Sequence, residues 1–498
     1  MEKIKKILSK TISWVFLATF VVIIFCVFFV DGGRYSLNVN NPIISLLIAI
    51  LFGLGLFFLY RKFTKNTSKL STKKEVVIVA SALIFFMVVG IIAILFLRVR
   101  PTWDVGHIYN AAMNMAYHGD VGNEYGYISN FPFQTFLLGC FTAIIKLTSF
   151  FPYPDIVLML FNLFCILGTI LLTYLIVKKL LGTRKAIFSL ILFLLFSPII
   201  LYTPIFYSDT ISMLFIAGCF YLSLFLFDSK ISSKKRIILS LIFGLICFCG
   251  YQTKATSIIL IIALALFALF INKKFNFKKF AISTACIAII FIPSCIIVSN
   301  ISKRITNPSL LIPKTHWIMM GLKNYGGFNM EDYQDITYAG LDDGKDLASM
   351  HIEVIKQRLS EYGPLNYLGF LSRKVAFTWG DGTYYVSDKL RREPSHPELL
   401  LYKIFSGDGE YFASYNIFMN GMQVLLLVGI VIGAFFTRNS QSIIAVIKLS
   451  LLGLILFLLI WETRSRYLIN YLPLMLVFFM FSLDSVSKLV TKRLATRQ

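Results

Sequence analysis

The sequence predicts an all-α, polytopic membrane protein. Hydrophobic residues make up 57% of the 498 residues and charged residues only 15%, against about 25% charged residues in soluble domains. Apolar runs of about 20 residues, the length that crosses the hydrocarbon of a bilayer, recur along the chain. Between them lie short basic loops and one long hydrophilic stretch, 299–413. These observations predict about twelve transmembrane helices, outer juxtamembrane helices and a long extracytoplasmic loop.

The predicted spans share long apolar composition and few charges. They are 11–30, 42–60, 76–98, 156–177, 186–203, 209–227, 237–251, 255–271, 280–298, 414–436, 442–460 and 467–485. The first run follows basic residues, as in a signal peptide. Its length, and the lack of a small-residue cleavage pattern after it, predict an uncleaved helix instead.

The apolar run 132–150 decides the topology. Cytoplasmic loops are enriched in Lys and Arg, and the basic loops 178–185, 229–236 and 272–279 reach the same side as loop 61–75 only if 132–150 does not cross. This run begins FPFQ and ends in a Pro-broken aromatic segment, which is typical of a helix at the membrane surface. We therefore expect both termini in the cytoplasm and the acids of the loops mostly outside.

The charge and cysteine patterns exclude several classes of protein. The formal net charge of +23 follows from the predicted cytoplasmic loops, so it indicates orientation and attraction to anionic lipid rather than nucleic-acid binding. All eight cysteines lie in apolar runs, whereas a disulfide framework or zinc site would place them in loops.

We expect four regions along the chain. They are an N-terminal helix pair (1–75), a membrane module (76–298) whose first outer loop is 99–155, an extracytoplasmic loop domain (299–413) and the C-terminal helices (414–498).

The first outer loop contains an acid and a histidine one helical turn apart. A helix over about 103–118, starting after Pro101 and ending at Gly119, would present Asp104 and His107 together, near Tyr109. A carboxylate there could act as a general base, position a hydroxyl or bind a divalent cation. The alternative is a helix N-cap formed by Thr102 or Asp104.

Two further ionisable residues lie at the predicted outer ends of spans. Asp209 opens one span, where a charge is costly and is a functional candidate; the alternative is a helix cap. Lys254 lies between two spans, away from the basic loops, which suggests an anionic partner such as a lipid phosphate. The alternative is a lysine that reaches the interface.

The short turn WETRSRY (461–467) carries Glu462, Arg464 and Arg466, followed by Tyr467. Two arginines could hold a phosphate bidentately, whereas the alternative is an isolated surface pair. In the long loop, His316 precedes an apolar patch that could lie on lipid.

Together these motifs resemble the GT-C superfamily of membrane glycosyltransferases, which includes protein O-mannosyltransferases and aminoarabinose transferases. The segment TWDVGHIYNAA looks like that family's acid-bearing juxtamembrane helix, and FPFQTFLLGCFTAIIKL looks like its second. The turn ETRSRYLINYLP is similar to the family's Glu/Arg turn. Asp104 lacks the second acid found in many members, and the first two spans are additional to the simplest pattern.

The resemblance implies transfer of a sugar from a polyprenyl-phosphate-linked donor at the outer face of a bacterial plasma membrane. The acceptor would be a wall polymer, glycolipid or protein. It implies that Asp104, with His107 and Asp209, is catalytic and that Lys254, Arg464 and Arg466 bind the donor phosphate. Support or acceptor roles would fall to a further set, Tyr109, Glu462, Tyr467 and His316.

These motifs identify no certain cofactor, and a divalent cation, Mg²⁺ or Mn²⁺, could bind between Asp104 and Asp209. The alternatives are a polysaccharide polymerase or ligase, which would use the same lipid phosphate, and a flippase or transporter of lipid-linked sugars. A transporter would require charges in the middle of spans, and the charges of this sequence cluster at their ends.

Overall fold

A computed structural model describes residues 2–65, 70–438 and 442–496. The ends of the chain and part of the predicted basic loop 61–75, including Lys69, lie outside this description. Within it the secondary structure is helical, with one isolated antiparallel bridge between Val99 and Pro394. The all-α prediction is confirmed.

The N-terminal part contains three long helices and then three short ones. They are α1 (Glu2–Phe29), α2 (Pro42–Lys65), α3 (Thr72–Phe96), α4 (Trp103–Tyr117), α5 (Tyr125–Asn130) and α6 (Thr135–Leu147). The Ser71 side chain starts α3 by accepting from the Lys74 amide at 3.3 Å. Helices α1 and α2 pack on the C-terminal helix that begins at Phe412, so the N-terminal pair extends the main bundle.

The middle of the chain adds the next seven helices. They are α7 (Pro154–Leu181), α8 (Thr183–Leu195), α9 (Pro198–Leu201), α10 (Ser208–Leu226), α11 (Ser233–Thr253), α12 (Ile258–Leu266) and α13 (Phe277–Ile305). Helix α13 contacts α11 and contributes no buried side chain. It continues to Ile305, beyond the predicted end of its span at residue 298.

The hydrophilic stretch that follows is folded into helices. They are α14 (Thr315–Met320), α15 (Ala339–Asp342), α16 (Leu347–Trp379), α17 (Val386–Leu390) and α18 (Leu400–Phe405), with a π-helix at Asp332–Tyr338. Helix α16 is bent at Gly363, whose φ is 60°, before Pro364. The last three helices are α19 (Phe412–Phe436), α20 (Ile444–Ile460) and α21 (Leu472–Ala495).

Each predicted span contains a helix, but not all of these helices are long. Nine helices of the described residues are long and apolar enough to cross a membrane. Two more, Ala255–Ile271 and Ile444–Ile460, are shorter apolar helices. Helix α8 has 13 residues, about 20 Å, because the chain turns before Pro198. The predicted number of about twelve transmembrane helices therefore includes three helices that are shorter than a full span.

The ambiguous run 132–150 forms the 13-residue helix α6. It is too short to cross about 30 Å of hydrocarbon alone. The helical segments Gly122–Asn130 and Pro132–Leu147 meet at an angle of 110°. Helix α6 packs against α4 and α7. This bent arrangement is the geometry of either a broken span or a re-entrant helix pair.

Candidate functional site

Asp104 lies in the first turn of α4, and its side chain contacts Tyr207, the residue immediately before α10. The preceding Trp103 has a left-handed backbone conformation, with φ 47°, and Thr102 makes no side-chain cap. The Tyr207 hydroxyl donates to Asp104 Oδ2 at 3.4 Å. The predicted helix 103–118 is confirmed by α4, and Asp104 faces the residues that precede α10 rather than capping its own helix.

His107 lies on α4, and its Nδ1 is 2.6 Å from Glu124 Oε2. The His107 ring stacks on Tyr127 with 4.3 Å between ring centres, and the Tyr127 hydroxyl is hydrogen-bonded to Asp104. The His107 side chain is 47% exposed. Tyr109 packs against Phe206, at 6.1 Å between ring centres. The structure therefore does not bring His107 or Tyr109 to the Asp104 carboxylate.

Asp209, Lys254 and Arg466 come from three distant parts of the chain and meet. Lys254 Nζ binds Asp209 Oδ1, and Arg466 Nη1 is 3.8 Å from Asp209 Oδ2. The exposed fractions of the three side chains are 3%, 12% and 13%, respectively. Two cations thus share one carboxylate, so this buried group carries an excess of positive charge.

Tyr467 joins this group to Glu462. Its hydroxyl accepts from Arg466 Nη2 at 3.2 Å and donates to Glu462 Oε2 at 3.1 Å. Lys254 Nζ lies 4.7 Å from the Tyr467 ring centre. Burial raises the pKa of the Glu462 carboxyl, which nearby Arg466 and Arg464 partly oppose. Tyr467 therefore holds the Arg466 guanidinium in place through its ring and its hydroxyl.

A residue that the sequence analysis missed lies beside this group. Lys389 of α17 is 5% exposed, and its Nζ lies 4.1 Å from the ring centre of Trp103. No ion pair with an acid is formed by Lys389 within the described residues. Burial lowers its pKa well below the usual range, although Asp104 and Asp209 favour the charged form. The signal was available, because the run KLRR is a basic cluster in the long loop.

Arg464 points away from the Asp209 group. Its guanidinium carbon lies 4.9 Å from the ring centre of Phe377 and 4.7 Å from that of Tyr385. It lines a cavity of about 360 Å³ formed by loops at this end of the bundle. Arg464 and Arg466, predicted to hold one phosphate together, contact different side chains.

His316 is buried in the long loop and belongs to a separate network. Its Nδ1 lies 2.7 Å from Thr337 Oγ1, which is 3.1 Å from His351 Nε2. Burial, together with neighbouring His351, lowers the pKa of His316 to about 3. The patch after His316 is not free to lie on lipid, because Met319 and Met320 are buried in the protein.

Asp104 and Asp209, the pair expected to bind a divalent cation, do not fit such a site. Asp209 already faces Lys254 and Arg466, and a cation there would be repelled by both. Across the described ranges, no cluster of three or more His, Cys, Asp or Glu side chains is arranged as metal ligands.

Two solved structures are similar to this chain over 84% of its length. One is the oligosaccharyltransferase AglB from Archaeoglobus fulgidus, in complex with an inhibitory peptide and a dolichol-phosphate. It is 12% identical with a TM-score of 0.46, over 84% of this chain and 51% of AglB. The other is ArnT from Cupriavidus metallidurans bound to undecaprenyl phosphate. It is 14% identical with a TM-score of 0.40, over 84% of this chain and 79% of ArnT.

The chain spans about half the length of AglB. No curated protein sequence matches this chain. A family model does match, over residues 2–487, and its description is "Conserved hypothetical integral membrane protein". Since the match covers nearly the whole chain, this multi-pass protein belongs to that family of integral membrane proteins.

Proposed function

We propose that the protein is a membrane glycosyltransferase that transfers a sugar from a polyprenyl-phosphate-linked donor to an acceptor at the outer face of the membrane. One observation carries this proposal. Two largely buried cations, Lys254 and Arg466, lie at Asp209, and the buried amine of Lys389 lies over Trp103, next to Asp104, at one end of the bundle. Such a surplus of positive charge beside a carboxylate suits an anionic leaving group and a nucleophile to be deprotonated.

Asp104 is the general base or positioning group in this proposal. An acceptor hydroxyl donates its proton to Asp104 while its oxygen attacks the anomeric carbon of the sugar. The bond between that carbon and the phosphate oxygen breaks, and the polyprenyl phosphate leaves with the electron pair. The Tyr207 hydroxyl, 3.4 Å from Asp104 Oδ2, orients the carboxylate.

Lys254, Arg466 and Lys389 stabilise the phosphate in this proposal. Negative charge on the phosphate grows as the glycosidic bond breaks, and fixed cations in a partly dry site favour that change. Nε and Nη1 of Arg466 are buried and lack a hydrogen-bond acceptor in the described parts of the chain. A phosphate oxygen would satisfy these donors, because buried donors without acceptors are costly.

Asp209 keeps Lys254 and Arg466 together, and Glu462 acts through Tyr467. In this proposal the termini of the chain lie in the cytoplasm and these residues lie at the outer face of the membrane. The sugar is therefore transferred outside the cell. The acceptor classes are a wall polymer, a glycolipid or a protein. In this arrangement His107 supports α4 through Glu124 rather than exchanging protons with the acceptor.

The test is an assay of the purified protein in lipid nanodiscs with radiolabelled undecaprenyl-phosphate glucose and an envelope extract as acceptor. We expect Asp104→Asn to reduce transfer by about 10²–10⁴-fold, the usual contribution of a general base. Asp120→Asn is the matched control, since the exposed Asp120 accepts only from the Gly122 amide at 2.9 Å among the described contacts.

Mass spectrometry of envelope glycans from cells with and without the protein gives an independent readout. A glycan that disappears without the protein and in the Asp104→Asn strain would support the proposal. Normal transfer by Asp104→Asn would remove Asp104 from the reaction. Movement of the labelled lipid across the bilayer with its sugar still attached would favour a flippase instead.

A further inference from the structure

A second polar site lies next to the group around Asp209, on the side to which Arg464 points. The cavity of about 360 Å³ is in the range of small-molecule sites, about 300–1,000 Å³. Its walls come from four parts of the chain. They are residues 32–36, then Asn324, Tyr325, Gly327 and Phe328, then Phe377, Asp381, Tyr385, Asp388 and Arg391, and finally Arg464 and Ser465. Apart from Phe377, near the end of α16, these residues lie in loops, turns or short helices, so an occupant would be a water-soluble group.

Arg464 is fixed in this cavity by aromatic rings rather than by acids. Its guanidinium lies between Phe377 and Tyr385, and Tyr325 stacks on Phe377 with 5.5 Å between ring centres. Among the described residues, no carboxylate pairs with Arg464. A guanidinium that is held flat in this way keeps its N–H edge available for a bidentate anion.

The two acids of the cavity wall are occupied by other donors. Asp381 accepts from Ser465 Oγ at 2.6 Å and from the Thr383 amide at 2.8 Å. Burial raises the pKa of Asp381, which reduces its negative charge. Asp388 accepts from the Arg391 guanidinium at 2.8 Å. Neither acid cancels the charge of Arg464.

A further cation increases the positive charge of the cavity. The Arg34 Nη2 donates to the Gly407 carbonyl oxygen at 2.9 Å, so its charge is not cancelled by that bond. Phe328, which is 44% exposed, lines the cavity together with Tyr325. The cavity therefore combines cations, hydroxyl and amide groups, and open aromatic faces, which together suit a charged polar ring.

From this chemistry we propose that the cavity binds an anionic carbohydrate. Its carboxylate or phosphate pairs with Arg464, and its ring lies against Tyr325 and Phe328. That the bound carbohydrate is the acceptor rests on the function proposed above. The binding itself does not depend on that function, because none of the cavity residues is Asp104 or one of the three phosphate-binding cations.

The N-terminal helix pair has a role in this proposal. The loop between α1 and α2 forms one wall, and Tyr325 OH donates to Asp31 Oδ2 at 2.6 Å. Gly33 has φ +80°, and an added Cβ would lie 3.7 Å from Phe377 and Tyr325. A left-handed glycine lets this loop turn beside the rings. Residues 32–36 would thus help to select the carbohydrate.

The experiment measures binding to the full-length protein in nanodiscs by isothermal titration. The background is Asp104→Asn, so that turnover cannot contribute. The probes are sodium glucuronate, glucose 6-phosphate, glucose, inorganic phosphate and undecaprenyl phosphate. We expect glucuronate and glucose 6-phosphate to bind at least about tenfold more tightly than glucose or inorganic phosphate, because only they engage both the cation and the rings.

Two substitutions locate the site. Arg464→Gln should weaken binding of both anionic sugars by about tenfold, and Arg464→Lys should recover part of it. Arg100→Gln is the control, since Arg100 is 80% exposed and lies at Glu393.

Phe328→Ala removes an exposed ring with little risk to folding. It should weaken the binding of both anionic sugars without changing that of inorganic phosphate.

Several results would overturn the proposal. These are anionic sugars that bind no better than glucose, or binding that is unchanged in both Arg464→Gln and Phe328→Ala. Competition by undecaprenyl phosphate alone would make the cavity a lipid headgroup site. Anionic-sugar binding without any transfer activity would leave this inference intact and contradict only the proposed function.

Discussion

The ammonium group of Lys389 lies 4.1 Å from the ring centre of Trp103, the residue immediately before Asp104. The Arg392 guanidinium lies over the same ring at 4.9 Å. Trp103 has a left-handed backbone, which costs about 1–3 kcal/mol in a residue other than glycine. The two cation–π contacts hold that conformation, so the loop with Lys389 and the helix with Asp104 are positioned together.

Replacing Lys389 should therefore affect both the phosphate and the start of α4. We expect Lys389→Gln to lower kcat/KM for transfer by about 10²-fold, comparable to the loss of one charge-stabilising group. Lys389→Arg should retain more activity because it keeps the charge and the contact with the ring. Initial rates with labelled polyprenyl-phosphate sugar measure this effect.

The matched control is Lys403→Gln, in the same region of the chain. Lys403 is 43% exposed and lies 3.5 Å from Glu410, and such surface pairs contribute little. Wild-type rates for Lys389→Gln would show that Lys389 does not contact the phosphate. Equal losses in Lys389→Gln and Lys403→Gln would indicate a general charge effect.

The pair of Asp209 and Lys254 should show strong coupling in a double-mutant cycle. Asp209→Asn leaves two buried cations without their carboxylate, which should cost about 3–5 kcal/mol of stability. Lys254→Met should cost less, because Arg466 remains 3.8 Å from Asp209. The double variant should be more stable than the sum of the single losses predicts.

Thermal unfolding in detergent measures stability, and binding of undecaprenyl phosphate gives a second readout. If the pair is only structural, the double variant should regain stability together with lipid-phosphate binding. If Lys254 contacts the phosphate, stability should return while binding stays weak. Strictly additive losses in stability would contradict the coupling.

Hydropathy predicted the helices of the membrane region. Asp209 was singled out because a charge at the end of a span is costly, and Lys254 because it lies away from the basic loops. The direction in which each side chain points from its helix or turn could not be predicted in this way. Arg464 and Arg466 diverge because the backbone is extended at Arg464 and turns into a 3₁₀-helix at Ser465.

Contacts between residues that are distant in the sequence could not be predicted from the sequence pattern either. His107 finds Glu124 only because the chain turns through Gly119 and Gly122, both at positive φ. Lys389 reaches Trp103, the neighbour of Asp104, through the left-handed Tyr384 and Tyr385, which have φ values of 51° and 65°. Consecutive residues of this kind are uncommon outside strained functional loops.

The topology can be tested with reporter tags. A tag inserted after Leu181 in the basic turn, where Gly182 has φ 96°, should report from the cytoplasm. A tag at the exposed Asp120 should report from outside, because the positive-inside rule separates these two loops. Both tags should leave transport of the protein to the membrane unchanged. Detection of the two tags on the same side would contradict the assignment of 132–150 as non-spanning.

The buried pair of His316 and His351 should make stability depend on pH. Burial lowers the pKa of His351 to about 4 and, with neighbouring His351, that of His316 to about 3, both below the ordinary 6.5. Between about pH 6.5 and 4 the unfolded chain therefore binds more protons than the folded protein. Stability from these residues is complete above about pH 6.5 and is lost as the pH falls. At pH 5 the loss is about 2 kcal/mol per histidine.

Unfolding measured between pH 4.5 and 7.5 tests this dependence, and the informative quantity is its slope. His316→Gln should be less stable at neutral pH, since His316 Nδ1 is hydrogen-bonded to Thr337 Oγ1 at 2.7 Å. It should also lose less stability on acidification, because glutamine does not titrate. His118→Gln is the control, because His118 is exposed and should leave the slope unchanged. An equally steep acid loss in His316→Gln and His351→Gln would assign the dependence to carboxylates instead.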